Sequence, residues 1–105
     1  MDFHPSQIPI AKTFDLNDEK DAAEAAYEMV KIGFTSENKG FKILMPKNDE
    51  KKAKRIGYTV TTTVTFALRQ TDQDRSVKYW TYHEDKDHYA IVFVSYIVLE
   101  KLGFA

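Results

Sequence analysis

Cysteine is absent from the 105 residues of this chain. Its absence excludes disulfide bonds, thiol catalysis and thiolate metal sites, and it fits a protein of the cytoplasm. Long apolar runs are missing too, because the longest, at residues 89–99, is far shorter than the roughly 20 residues of a membrane span. The first residues lack the basic and apolar regions of a signal peptide. We therefore expect a cytoplasmic protein.

Excess charge and glycine-rich loops are also lacking. The formal net charge of -1 gives no overall attraction to nucleic acid or to acidic membranes. The four glycines are scattered, so they form no phosphate-binding loop, and no serine stands in a nucleophile motif. We predict a protein that is not an enzyme and needs no cofactor. Its length is that of one domain, residues 1–105, in which residues 1–7 form a loose tail.

Alternation of side chains over residues 58–68 is the strongest pattern in the chain. One set of alternate positions is apolar except for Thr62 and consists of Tyr58, Val60, Val64, Phe66 and Leu68, and threonines with one alanine occupy the other set. Side chains of a strand repeat every two residues, so the pattern predicts a long strand, from residue 56 to about residue 70, with one buried and one polar face.

The other elements follow from caps, spacing and composition. Apolar residues spaced by three and four predict a helix at residues 17–33. Strands are predicted at 41–46, 77–84 and 89–98, with an edge strand at 8–14 because Pro9 cannot donate to a ladder. Polar residues predict a loop at 35–40 and turns at 71–74 and 85–87. The fold class is α+β: an antiparallel sheet of four to five strands with one helix on one face, in the order (β)-α-β-β-β-β. If residues 89–99 are helical instead, the order becomes α-β-β-β-α.

The face of the sheet away from the helix is the predicted contact surface. A hairpin at 71–74 would pair Leu68 with Val77, and a hairpin that pairs Glu84 with His88 would add Ala90, Val92 and Val94. Aromatic residues rimmed by polar ones are typical of binding surfaces. The residues predicted to bind a partner are Trp80, Tyr82, Lys78, Thr63 and Thr65. As alternatives, the C-terminus or the N-terminal tail folds over this face, or the sheet curls into a partial barrel.

A basic connector offers a second function. Residues 47–55 contain five basic and two acidic side chains, among them Lys51, Lys52, Lys54 and Arg55. Basic groups near sheet aromatics hold phosphates while bases stack on the rings, so these residues would bind nucleic acid together with Trp80 and Tyr82. A short solvated helix capped by Asn48 explains the same residues.

The hairpin at residues 83–88 contains the densest group of metal-ligating residue types. His83 and His88 are one residue too far apart for the His-Glu-x-x-His zinc motif, but they would face each other across a hairpin. A solvated hairpin tip is the more common arrangement, and we predict no metal site. A metal-dependent enzyme around His83 and His88 is the third alternative function. We expect a non-catalytic binding protein that acts through homodimerisation or protein docking.

Overall fold

The computed structural model describes residues 3–34, 39–73 and 76–105. Most of the predicted 35–40 loop and the last residue of the predicted 71–74 turn lie outside these ranges. The described chain contains four strands and three α-helices in the order β1, α1, β2, α2, β3, β4, α3. The predicted α+β class is confirmed, although neither predicted order of elements matches the observed one.

Helix α1 spans Ala22–Ile32 and confirms the helix predicted at 17–33. Asp18 caps a 3-10 turn, Glu19–Asp21, that leads into it. Gly33 ends the helix with a φ of 98°, a left-handed conformation that only glycine adopts without strain. The buried stripe of α1 consists of Ala22, Ala25, Ala26, Met29 and Val30.

Helix α2 spans Glu50–Gln70, so the strand predicted from residue 56 to about residue 70 is wrong. Asp49 caps the helix by accepting a hydrogen bond from the backbone N–H of Lys52. The predicted connector at 47–55 forms its first turns. The buried residues are spaced by three and four along the helix: Ala53, Ile56, Val60, Val64, Ala67 and Leu68. A spacing of four is also an even number, so Val60, Val64 and Leu68 satisfy the period of a strand as well as that of a helix.

The four strands are β1 (Ile10–Asp15), β2 (Gly40–Pro46), β3 (Val77–His83) and β4 (His88–Ser95). Within the described ranges they form one sheet in the order β1-β2-β4-β3. β1 pairs with β2 in parallel and the other pairs are antiparallel, so the sheet is mixed. The prediction of a wholly antiparallel sheet is therefore wrong. The parallel pair arises because α1 carries the chain from β1 back to the same end of the sheet. β1 lies at an edge, as Pro9 predicted.

The last segment combines both predicted conformations. β4 ends at Ser95, whose hydroxyl accepts a hydrogen bond from the N–H of Ile97 and caps helix α3, Tyr96–Leu102. The predicted hairpin register is confirmed, because Trp80 pairs with Val92 and Tyr82 with Ala90. The register predicted between residues 63–68 and β3 is wrong, since those residues are helical.

Each face of the sheet has its own apolar core. Helices α1 and α2 pack on one face, called here the helix face, where Phe41, Ile43 and Phe93 are buried. On the opposite face, called here the second face, Val92 and Val94 pack against Ile8 and against Val98 of α3. Residues 3–7, predicted as part of a loose tail, lie against this second core and contain a 3-10 turn, Pro5–Gln7. None of the helices in the described ranges is both long and apolar enough to cross a membrane.

Candidate functional site

The predicted contact surface on the second face is largely covered by the chain itself. The rings of Phe3 and Trp80 form a T-shaped contact at 5.4 Å between centroids, and Phe3 also stacks on Phe104 at 4.8 Å. His4 contacts Tyr82 at 5.0 Å. The alternative in which a chain end folds over this face is therefore the one observed. Both ends of the chain contribute to the cover.

The five predicted partner-binding residues are not on one surface. Trp80, Tyr82 and Lys78 lie on β3 with their side chains on the second face, and Lys78 is exposed. Thr63 and Thr65 lie on α2, which packs on the helix face. The placement of Thr63 and Thr65 on the sheet beside Trp80 is wrong, because it rested on a strand where the structure has helix α2.

A half-buried polar group lies at one end of the second face. The Lys42 Nζ donates to the Glu84 carboxylate at 2.7 Å. Burial lowers the pKa of Lys42, but the bond to Glu84 and the nearby Tyr82 outweigh it and raise the pKa above its usual 10.5. Burial raises the pKa of Tyr82, whose hydroxyl has no hydrogen-bond partner among the described residues. These groups anchor β2 to the end of β3.

The basic residues of the predicted nucleic-acid site all lie on the first turns of α2. Lys54 pairs with Glu50 at 3.4 Å, and Arg55 pairs with Glu19 at 3.2 Å. Lys51 and Lys52 precede them on the same helix. Because α2 lies on the helix face and Trp80 and Tyr82 on the second face, the structure does not bring these lysines and aromatic rings together.

The two histidines proposed as weak metal ligands point to opposite faces of the sheet. The His83 ring contacts Tyr89 at 5.3 Å on the helix face. His88 Nδ1 lies 3.0 Å from an Asp85 carboxylate oxygen, and this hydrogen bond raises the pKa of His88 above its usual 6.5. Across the described ranges, no three His, Cys, Asp or Glu side chains are grouped to hold a metal ion.

The open edge of the sheet at β3 is a further candidate for a binding site. Among the described residues β3 pairs only with β4, which makes it an edge strand. The Glu84 N–H donates to the His88 carbonyl and the Tyr96 N–H to the Ser76 carbonyl, so even-numbered residues of β3 exchange hydrogen bonds with β4. The odd-numbered residues, Val77, Tyr79, Thr81 and His83, therefore direct their N–H and C=O groups away from β4.

A cleft of about 580 Å³ lies beside this edge, between α2 and the sheet. Buried or half-buried apolar side chains line its floor, including Met45, Tyr89 and Ile91. Gly57 lets α2 come close here, because a Cβ on it would lie 3.3 Å from Ile91 Cδ1. Such a volume and such a floor suit an apolar side chain of a bound molecule.

The rim of the cleft is aromatic and polar. Tyr58 is 69% exposed and Tyr79 is 54% exposed. The other polar residues that line the cleft are Glu50, Lys54 and Thr61 on α2, and Thr81 and His83 on the edge strand. A shallower continuation runs along α2 past Phe66, which is 53% exposed. Tyr79, Thr81 and His83 therefore present side chains to the cleft and backbone groups to the open edge.

This site was not predicted from the sequence, because the alternating pattern places Tyr58 and Phe66 on the buried face of a strand. A helical signal was present in the capping residue Asp49 and in the spacing of Ala53, Ile56 and Val60. Comparison of the chain with protein-family models, with curated proteins and with solved structures finds no match.

Proposed function

We propose that this chain is a non-catalytic interaction protein that binds an extended segment of a protein by adding it as a strand to β3. The observation that carries the proposal is the double role of Tyr79, Thr81 and His83. Their outward backbone groups offer hydrogen bonds to an added strand, while their side chains line the neighbouring cleft. In strand addition the main chain supplies affinity and pockets for alternate side chains supply specificity.

The composition of β3 supports the proposal, because natural edge strands are usually protected against pairing. β1, at the other edge, follows Pro9 and has an irregular register between Ile10 and Lys12. β3 has neither device. Its residues are mostly β-branched or aromatic, and its lysine, Lys78, lies on the second face. Such an edge favours pairing with another strand.

The rim aromatics support the same surface. Tyrosine is enriched at binding hot spots because one end of the ring is apolar and the other forms hydrogen bonds. Tyr58 and Tyr79 stand on opposite sides of the cleft, one on α2 and one on β3. A side chain of the added strand that enters the cleft contacts both rings and the apolar floor.

The test is selection of binding peptides from a random peptide library, followed by NMR hydrogen exchange on the complex. We expect the selected peptides to slow exchange at the outward N–H groups of Tyr79 and Thr81. Thr81→Pro removes one outward donor and should weaken binding about tenfold or more, because a lost hydrogen bond and the proline ring both oppose pairing. Lys78→Ala is the matched control on the same strand, since its side chain lies on the second face, and it should bind normally.

Selected peptides that leave the outward amides of β3 unprotected would refute the proposal. The exchange measurement uses the unsubstituted chain, so it decides the matter even if Thr81→Pro does not fold. Circular dichroism of both variants shows whether a loss of binding has a structural cause.

A further inference from the structure

We infer that the strand added to β3 is the β3 of a second copy of this chain, paired antiparallel about a two-fold axis at Trp80. This inference rests on the proposed function and names the partner of the same edge. A symmetric dimer uses one surface patch twice, so the patch must be complementary to itself.

Backbone geometry limits the register of such a pair. The outward groups belong to odd-numbered residues, so an odd residue must oppose an odd residue of the second copy. Axes at Tyr79, Trp80 and Thr81 all satisfy this condition. Only the axis at Trp80 aligns all seven residues of β3 with all seven of the second copy. The other two leave the strand ends unmatched.

Side chains are compatible in this register on both faces. On the second face Trp80 lies opposite Trp80 of the second copy, and Lys78 opposite Tyr82. On the helix face Tyr79 lies opposite Thr81, and Val77 opposite His83. No like charges oppose each other, and aromatic pairs and lysine–aromatic pairs are favourable across strands. Trp80 is only half-buried by Phe3 and Val92, so part of its ring is available for the contact.

The dimer would join the two sheets into one and bring the two clefts together. Both α2 helices would then lie on the same side of the continuous sheet. Tyr79 and Thr81 of both copies would form the floor between them, with Tyr58 of each copy on the flanks. The exposed rim aromatics would then line one long groove shared by the two copies.

Charged substitutions at residues that face each other across the two-fold axis test the pairing. In the register at Trp80, position 79 of one copy faces position 81 of the other. Tyr79→Lys with Thr81→Lys in one chain should therefore give a monomer, as should Tyr79→Glu with Thr81→Glu. An equimolar mixture of the two variants should form a mixed dimer. Mass in solution is measured by size-exclusion chromatography with light scattering.

Cysteine substitution tests the register, because the chain has no cysteine of its own. Facing residues that do not exchange hydrogen bonds have close Cβ atoms, which suits a disulfide. Trp80→Cys should give a covalent dimer under mild oxidation. Lys78→Cys, which faces Tyr82, is the matched control and should stay monomeric on denaturing gels.

A monomeric mass for the unsubstituted chain up to millimolar concentration would overturn the inference. A dimeric mass for the variant that carries both Tyr79→Lys and Thr81→Lys would overturn it as well. Cross-linking of Lys78→Cys but not of Trp80→Cys would overturn the register. If the chain is monomeric but selected peptides still protect the outward amides of β3, the partner is a foreign segment and only this inference fails.

Discussion

Replacing Gly57 with alanine measures how closely α2 approaches the sheet at the floor of the cleft. Glycine inside a helix costs about 1 kcal/mol relative to alanine, so the substitution stabilises the helix by about that amount. The new Cβ would lie 3.3 Å from Ile91 Cδ1 and 3.6 Å from Met45 Sδ. The first contact is tight, and an overpacked core that cannot relax costs about 1–3 kcal/mol.

The sign of the effect depends on whether Ile91 can move. Its Cδ1 is a terminal methyl at the floor of an open cleft, so a shift of its side chain costs about 0.5 kcal/mol. We therefore expect Gly57→Ala to raise the free energy of unfolding by about 0.5 kcal/mol, and the melting temperature by about 2–4 °C. Urea denaturation and calorimetry give both values.

Thr62→Ala is the matched control, because Thr62 lies on the same helix and is exposed. It gains about 0.5 kcal/mol from helix propensity without a new contact to the sheet. A melting temperature for Gly57→Ala well below that of the original chain would refute the reasoning. In that case Ile91 is held rigidly and the close approach of α2 requires glycine.

Three further predictions concern the sheet and its hairpin. Lys42→Met leaves the half-buried Glu84 carboxylate without its partner, so urea denaturation should show a free energy of unfolding lower by about 1–3 kcal/mol. An unchanged denaturation midpoint would mean that water replaces the lysine. Gly40→Ala places a Cβ 2.6 Å from the backbone carbonyl oxygen of Phe93 in β4, so the backbone of one strand must shift. Calorimetry should show a free energy of unfolding lower by about 2 kcal/mol or more. The hydrogen bond between Asp85 and His88 raises the pKa of His88, and it helps to lower the pKa of Asp85. The stability that this pair contributes is therefore complete from pH about 4 to about 6.5, is lost as the pH rises through the raised pKa of His88, and is lost as the pH falls through the lowered pKa of Asp85. An NMR titration should give His88 a pKa above 6.5 in the original chain and a lower pKa in the Asp85→Asn variant. Equal values for His88 in the two proteins would contradict the role of Asp85.

Much of the fold was predictable where local signals and tertiary structure agree. Helix α1 has a narrow alanine-rich stripe and a terminating glycine, and both were predictable from the sequence. The β3–β4 hairpin was predicted in its register because Glu84 and His88 flank a short polar turn. The edge position of β1 followed from Pro9.

Helix α2 was not predicted because its sequence satisfies two periods at once. Its threonines favour strands, and a buried residue at every fourth position fits a strand as well as a helix. The helix forms because its apolar stripe packs on the sheet and on α1. Threonine hydroxyls bond to carbonyls within the helix, as Thr62 does to Tyr58 at 2.8 Å, which satisfies the hydroxyls without stabilising the helix. Tertiary contacts thus override local preference. The candidate site was missed for the same reason, since the cleft exists only when residues 58–68 are helical.

The late position of β4 in the chain has a consequence for synthesis. Ile91 and Phe93 of β4 form part of the surface on which α2 packs, yet they follow α2 by more than twenty residues. While the chain leaves the ribosome, residues 58–68 are complete before that surface exists. During this interval α1 and β2 can support the helix but β4 cannot, and residues 58–68 keep a strong tendency to extend, which exposes a nascent chain to misfolding. Slow elongation across residues 71–95 should therefore lower the yield of native protein, whereas a chaperone that shields residues 58–68 should restore it.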